Sequence, residues 1–263
     1  MSLSLFLRYK KRQRNYFASQ GMGLFRFLVL NLSHSGRLHL YRDFTERGKR
    51  EAEKLGIKIP LSLSPDDLSE VFYEHIYDRT GYIPGETDTV VDVGAYVGDF
   101  SVYCSKVLKV AKVIAFEPVQ DNLKLAQDFA QLNSCNNIEF YGVALSDIEG
   151  TGTIDQRERM AGSFSTGGES HPVTYRPLDW FNASCDLLKI DVEGFEVKVL
   201  RGARKTIERC RPRIILEVHS SKLKQECLRS LDEMGYFLEI QGEVVANPQK
   251  GFDAIQNLFF RSK

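Results

Sequence analysis

The sequence lacks any paired-cysteine pattern. Its five cysteines, Cys104, Cys135, Cys185, Cys210 and Cys227, stand singly. That excludes a zinc ribbon or a Cys-x-x-Cys redox site and fits thiols used as small apolar residues in a reducing, cytoplasmic setting. No apolar run is long enough to span a bilayer. The most apolar early stretch, Gly23 to Leu32, holds Arg26 and is half of the roughly 20 residues that a membrane span requires. A signal-peptide layout is missing too. So is net charge, because 35 Lys+Arg balance 35 Asp+Glu. No nucleic-acid partner is expected.

That balance hides an asymmetry. Met1 to Lys54 carries 12 Lys+Arg against 4 Asp+Glu, a net of 12 − 4 = +8, so the remainder is −8. The basic segment reads as a solvated helical face, as a docking surface for an acidic or membrane surface, or as a contact for an anionic substrate. The 263 residues suffice for one large domain with an extension. The division expected is a basic helical extension over 1–65 and a main domain over 66–263. Oligomeric state is not readable.

A dinucleotide fingerprint, Gly-x-Gly-x-x-Gly, is also missing. In its place stands Thr89-Val-Val-Asp-Val-Gly-Ala-Tyr-Val-Gly-Asp-Phe-Ser101. A β-branched run ends near Asp92, Gly94 and Gly98 bracket Ala95 and Tyr96, and apolar residues at helical spacing follow. That order is strand, glycine turn, helix. Glycines let backbone approach a ligand closely. An acid before the first glycine suits a ligand with positive charge rather than pyrophosphate. S-adenosylmethionine, with an ammonium and a sulfonium, is such a ligand.

Strand and helix patterns then alternate. Strands are expected at Lys112 to Phe116, Ile138 to Val143, Asp186 to Ile190, Arg213 to Val218, Tyr236 to Ile240 and Asn257 to Arg261. Helices are expected from Ser64-Pro65 through Tyr77, at Asp121 to Leu132, at Phe195 to Cys210 with a break near Gly202, and at Ser220 to Met234. Such alternation indicates an α/β fold with a mostly parallel sheet covered on both faces. The last two strands have no helix between them, which predicts an antiparallel final strand.

Ligands of such sheets bind beyond the carboxyl ends of the strands. The polar residues there are Asp92, Glu117, Ala144-Leu145-Ser146, Asp191 and Glu217-Val218-His219. Glu117, before Pro118, is placed to accept from both hydroxyls of a ribose, with Asn122 as a helper. Asp92 has two readings: a partner for the cofactor's ammonium, or an acceptor of backbone N–H bonds within the glycine turn. Ser146-Asp147 would lie near an adenine or form a plain turn. Lys189, inside a buried strand, needs a partner, which Asp191, Glu193 or Glu196 would supply. Asp191 and Glu193, aimed by Gly194, and His219, by its ordinary pKa, are candidates for taking a substrate proton. A structural salt-bridge cluster and a packed histidine are the bland readings of the same residues. Ile148 to Tyr175, with Ser163, Ser165, Arg157, Arg159 and Arg176, reads as a lid or a surface loop.

Two segments together, Val90 to Ser101 and Leu187-Leu-Lys-Ile-Asp-Val-Glu-Gly-Phe-Glu196, resemble the FkbM family of S-adenosylmethionine-dependent methyltransferases. Ala-Phe-Glu-Pro at 115–118, Val-Ala-Leu-Ser-Asp at 143–147, Val199 to Ala203 and Ile215 to His219 are similar to it as well. The resemblance covers about Val71 to Arg261. It implies a class I methyltransferase fold, a Rossmann-like seven-stranded sheet whose last strand is antiparallel. It also implies methyl transfer to a hydroxyl of a small molecule or a glycan or glycolipid sugar. By position it implies Asp92, Gly94 and Gly98 at the methionine moiety, Glu117 at the ribose and Asp191 near the transferred methyl. Tyr96 stands where the family often has Asn. No metal site is expected, because the acids do not pair with an Asn-Asp set. An NAD-dependent oxidoreductase and a non-catalytic cofactor-binding protein remain the alternatives.

Overall fold

The computed structural model describes residues 46–155, 170–242, 245–247 and 252–263. Strands β1 (Thr89–Val93), β2 (Lys112–Phe116) and β3 (Ile138–Tyr141) open the main sheet. Helix α1 (Asp99–Val102), continued by a π-turn over Tyr103–Val107, links the first two, and α2 (Gln120–Leu132) links the next two. A small second sheet follows, made of β4 (Ala144–Leu145), β5 (Gly150–Asp155) and β6 (Ser170–Arg176). The chain then returns through β7 (Leu187–Ile190), α3 (Glu196–Gly202), α4 (Arg204–Cys210), β8 (Arg213–Val218) and α5 (Ser221–Glu233). It ends in β9 (Tyr236–Gln241), β10 (Val245–Asn247) and β11 (Phe252–Ser262).

The main sheet runs β3-β2-β1-β7-β8-β11, with β9 and the short β10 sharing the outer edge of β11. The strands from β3 to β8 are parallel, and β11 is antiparallel to its neighbours. This is the seven-stranded class I methyltransferase arrangement with β10 added. The chain moves outward from β1 to β3 and then restarts at β7 on the other side of β1. The switch point therefore lies between β1 and β7, where open α/β sheets hold ligands.

Strand alternation sorts the core onto two faces. Val90, Val113, Ala115, Leu187, Ile215 and Phe259 pack with Phe100, Phe129 and the lead-in residues Phe72, Tyr77 and Tyr82. Val91, Ile114, Phe116, Leu188, Ile190, Leu216 and Phe260 pack on the other face with α3, α4 and α5. Ala52, Ile57 and Leu63 belong to the first cluster, so residues 46–63 build part of the core of the main sheet. Among the described residues no helix is long and apolar enough to cross a membrane.

Three expectations change. The helix expected from Ser64 to Tyr77 is a 3-10 turn, Pro65–Leu68, and one α-turn, Ser69–Phe72. His75 then takes a left-handed φ of 49°, which a helix does not allow. The strand expected to reach Val143 stops at Tyr141, and Ala144 and Leu145 pair with β6 instead. The connection expected over 148–175 contains an antiparallel pair, β5 with β6. Arg157, Arg159, Ser163, Ser165 and the basic segment over 1–45 lie outside the described residues.

The expected break in the helix at Gly202 has a packing reason. A Cβ there would lie 1.9 Å from the carbonyl oxygen of Ser146, so α3 can approach β4 this closely only without a side chain. Gly202→Ala is expected to cost about 1–3 kcal/mol through overpacking, read as a lowered urea midpoint. An unchanged midpoint would show that this junction yields freely.

Candidate active site

The site is built from residues that alternation places on one face. Asp92 and Lys189 are register partners across β1 and β7. Asp191 follows Lys189 by two residues, and Glu217 and His219 continue the same face of β8 beyond Ile215. The Lys189 ammonium lies 3.1 Å from Asp92 Oδ1 and 3.8 Å from Asp191 Oδ2, and it donates to the Gly94 carbonyl at 3.0 Å. The rings of Tyr77 and Phe100 flank it at 5.6 and 5.9 Å. Burial opposes its charge, but Asp92, Asp191 and Asp99 outweigh that and hold its pKa above the ordinary value.

Asp92 is wholly buried, and its other oxygen accepts from the Ser101 hydroxyl at 2.7 Å. It therefore ties the strand to α1 and to Lys189 rather than accepting backbone N–H bonds of the turn. Of the partners expected for Lys189, Asp191 is found and Glu196 is not. Asp92 and Asp191 serve it, while Glu196 bonds to His219.

The turn over 94–98 closes in left-handed conformations, with φ of +79° at Gly94, +50° at Tyr96 and +80° at Gly98. A Cβ on Gly94 would lie 1.8 Å from the Asp191 carbonyl oxygen, and one on Gly98 would lie 2.9 Å from Ala126. Both glycines are thus needed for conformation and for space. Tyr96 bears the left-handed φ without that freedom, at a cost of roughly 1–2 kcal/mol. Its N–H is held by Glu117 Oε2 at 2.9 Å, and its hydroxyl reaches Asp67 at 3.2 Å. Ala95 is buried, and its N–H, like that of Gly94, donates to the Phe116 carbonyl.

Glu117 is nearly buried at the end of β2. Its Oε1 accepts from the Val119 N–H at 2.9 Å and from Asn122 Nδ2 at 3.4 Å. Burial pushes its pKa up to about 7, against the bonds from Val119 and Tyr96. Pro118 continues the chain from Glu117 towards α2. Ala144 lies in β4 of the small sheet, and Ser146 follows that strand. The Ser146 N–H donates to the Arg176 carbonyl and its hydroxyl to Asp147.

Beyond Lys189 the face becomes acidic. His219 Nε2 lies 3.4 Å from Glu217 Oε1 and 3.8 Å from Asp191 Oδ1. Its Nδ1 bonds Glu196 Oε1 at 2.6 Å, and Tyr77 donates to Asp191 at 3.5 Å. Burial disfavours the charged imidazole, but the bonds to Glu196 and Glu217 and the charges of Glu217 and Asp191 hold its pKa well above 6.5. A protonated imidazole has no lone pair to give, which argues against His219 as the proton acceptor in this state. Burial and Glu217 raise Asp191 above the usual carboxylate range. Glu193, at a left-handed φ of 45°, adds negative charge to Asp191.

The sequence reading missed Tyr77, Asp99 and the role of Glu217. Asp99, at the start of α1, is raised to about 7, first by burial. Only the two-residue spacing of Glu217 to His219 could have flagged Glu217. A separate cavity of about 320 Å³ is lined by Thr89, Lys112, Ile114, Glu139, Tyr141 and Phe181, none of which belongs to this site.

A parallel sheet with this strand order, a glycine turn after β1 and an acid ending β2 define the class I methyltransferase group. More particularly, the chain belongs to the FkbM methyltransferase family, whose domain model, Methyltransferase FkbM domain, matches residues 92–245, more than half of the chain. The AMB antimetabolite synthetase AmbE of Pseudomonas aeruginosa is 26% identical over 200 residues, 58% of this chain and 9% of that protein. Methyltransferase 1 of Beauveria bassiana is 22% identical over 162 residues, 51% of this chain and 64% of that protein. The chain thus spans less than two thirds of either relative. Methyltransferase FkbM from Methylobacillus flagellatus KT has a similar structure at 18% identity and a TM-score of 0.45, over 81% of this chain and 59% of that one.

Removing one partner of the central ion pair leaves a buried charge uncompensated. Lys189→Met is expected to cost about 3–5 kcal/mol in urea unfolding. Adding Asp92→Asn to it should recover part of that loss. Strictly additive losses would mean that the two groups do not depend on each other.

Proposed function

We propose that the chain is an S-adenosylmethionine-dependent O-methyltransferase whose acceptor is a hydroxyl of a small molecule or a sugar. The observation that carries this is that one turn touches two carboxylate sites. Through Tyr96 the turn holds Glu117, and through Gly94 it abuts Asp191.

The donor set fits the cofactor. Glu117 is a buried carboxylate at the place for a ribose diol, and Asp99 and Asp191 supply negative charge for an ammonium and a sulfonium. When bound, S-adenosylmethionine supplies a methyl group activated on that sulfonium. The chain's own work is to hold and orient. Gly94, Ala95 and Gly98 keep the turn open and Asn122 steadies Glu117. Of the two carboxylates beside His219 Nε2, that of Asp191 is the more exposed, at 24% against 13% for Glu217. It is therefore the group that reaches an acceptor hydroxyl and directs its proton. Positioning of this kind can supply about 7–11 kcal/mol of a barrier. The five cysteines are free thiols, which fits a cytoplasmic compartment.

Only ionised Glu117 accepts from both ribose hydroxyls, and its pKa is raised to about 7. Affinity for S-adenosylhomocysteine is therefore expected to rise with pH through that value and then level off. Calorimetric titration should find binding about tenfold weaker at pH 6 than at pH 8. In Glu117→Gln the affinity should be lower and the pH dependence flatter. Absence of binding to folded wild type would overturn the cofactor assignment. Binding without methyl transfer to any of a panel of hydroxylated acceptors would overturn the acceptor assignment.

A further inference from the structure

We propose that Asp191, Glu217 and His219 form a binding site for one divalent cation of the Mn²⁺ or Mg²⁺ type. The inference rests on reading this cluster as the acceptor end of the methyl-transfer site. One ligand atom from each residue can be chosen so that all lie within 4.8 Å of one another. Two of the separations are 3.4 Å and 3.8 Å. Ligands about 2.1 Å from a common ion stand roughly 3.0–3.5 Å apart, so the two carboxylates would have to close by up to about 1–2 Å to complete the set. Two carboxylates and one imidazole suit a hard to borderline divalent ion.

A second observation lies outside the three ligands. His219 is 3% exposed, and Glu196, itself wholly buried, holds its Nδ1 at 2.6 Å. A histidine that ligates a metal commonly hands its other ring nitrogen to a carboxylate in this way, which fixes the ring and raises its basicity. Here the result is that Nε2 faces Asp191 and Glu217. The second oxygen of Glu196 is buried without a hydrogen-bond partner. Lys189, 3.8 Å from Asp191, is engaged by Asp92 at 3.1 Å. A carboxylate cluster alone works against the loss of a proton by a neighbouring hydroxyl. A divalent ion reverses that field and draws the hydroxyl in as a ligand. The site is assembled from the ends of two strands, so no sequence spacing announces it.

The test uses the full chain freed of metal with a chelator. Mn²⁺ is titrated in and followed by loss of the free-ion paramagnetic resonance signal. S-adenosylhomocysteine affinity is measured on the same samples without metal. Wild type is expected to bind one Mn²⁺. Glu217→Gln should weaken binding at least tenfold, and Glu196→Gln about 10–100-fold through the orienting contact. Cofactor affinity retained in both variants shows that they are folded. No stoichiometric Mn²⁺ binding by wild type, or binding unchanged in both variants, overturns the proposal and leaves an ordinary salt-bridge cluster. If the cofactor binds and Mn²⁺ does not, the cation site alone fails. If Mn²⁺ binds and the cofactor does not, the methyltransferase reading fails and the cation site stands.

Discussion

The structure depends on a charge pair buried where the sheet changes direction. Lys189 and Asp92 face each other across β1 and β7, the two strands that flank the switch point. An ammonium and a carboxylate out of water are costly apart, and together they only roughly offset their desolvation. Their value lies in what they fix. Lys189 holds the Gly94 carbonyl, and Asp92 holds Ser101 in the first helix. One pair thus sets the register of two strands, the shape of the turn and the start of α1.

From that centre the chemistry spreads along a single face. Parallel register sets Lys189 beside Asp92 and Ile215, and alternation then brings Asp191 and Glu217 side by side where the strands end. The apolar residues of the same face, Val90, Leu187 and Ile215, are core. A face that is hydrophobic at its middle and acidic at its end positions charged groups rigidly, because each stands on a strand buried on both sides. The two turns beyond it hold a non-glycine residue in a left-handed conformation, Tyr96 in one and Glu193 in the other. Such strain gathers at functional sites and persists because neighbouring contacts determine it.

Much of this was legible from residue order. The β-branched runs, the glycine turn and the helix spacing gave the parallel sheet, and the absence of a helix before Asn257 gave the antiparallel last strand. The position of Glu117 was legible because an acid closes the second strand run, whereas its bond to the Tyr96 N–H was not. What failed was local. The lead-in near Tyr77 has helical spacing, yet His75 breaks it. The Gly- and Ser-rich stretch after Ile148 reads as loop because β5 and β6 carry few of the residues that mark buried strands. The direction of Asp92 was illegible in principle, since its partner, Lys189, is 97 positions away and meets it only through strand register. Glu217 was legible as a strand-end acid, but its place beside Asp191 was hidden for the same reason.

The acidic end of the face also constrains any mechanism. Negative charge there attracts a cationic cofactor, but attraction in the ground state alone does not speed a reaction. As a methyl leaves a sulfonium the positive charge disappears, so fixed carboxylates favour the reactant over the product. In the proposed reaction a hydroxyl that must lose its proton would face the same field in the same adverse sense. Catalysis at this place therefore requires that the carboxylates be answered by positive charge on the acceptor side. Lys189 cannot supply it, because Asp92 and the Gly94 carbonyl hold it inside the core. The charged imidazole of His219 supplies one unit against Asp191, Glu217 and Glu196. A divalent ion ligated by Asp191, Glu217 and Nε2 would displace that imidazole proton and supply two units in its place, nearest the atom that has to carry negative charge.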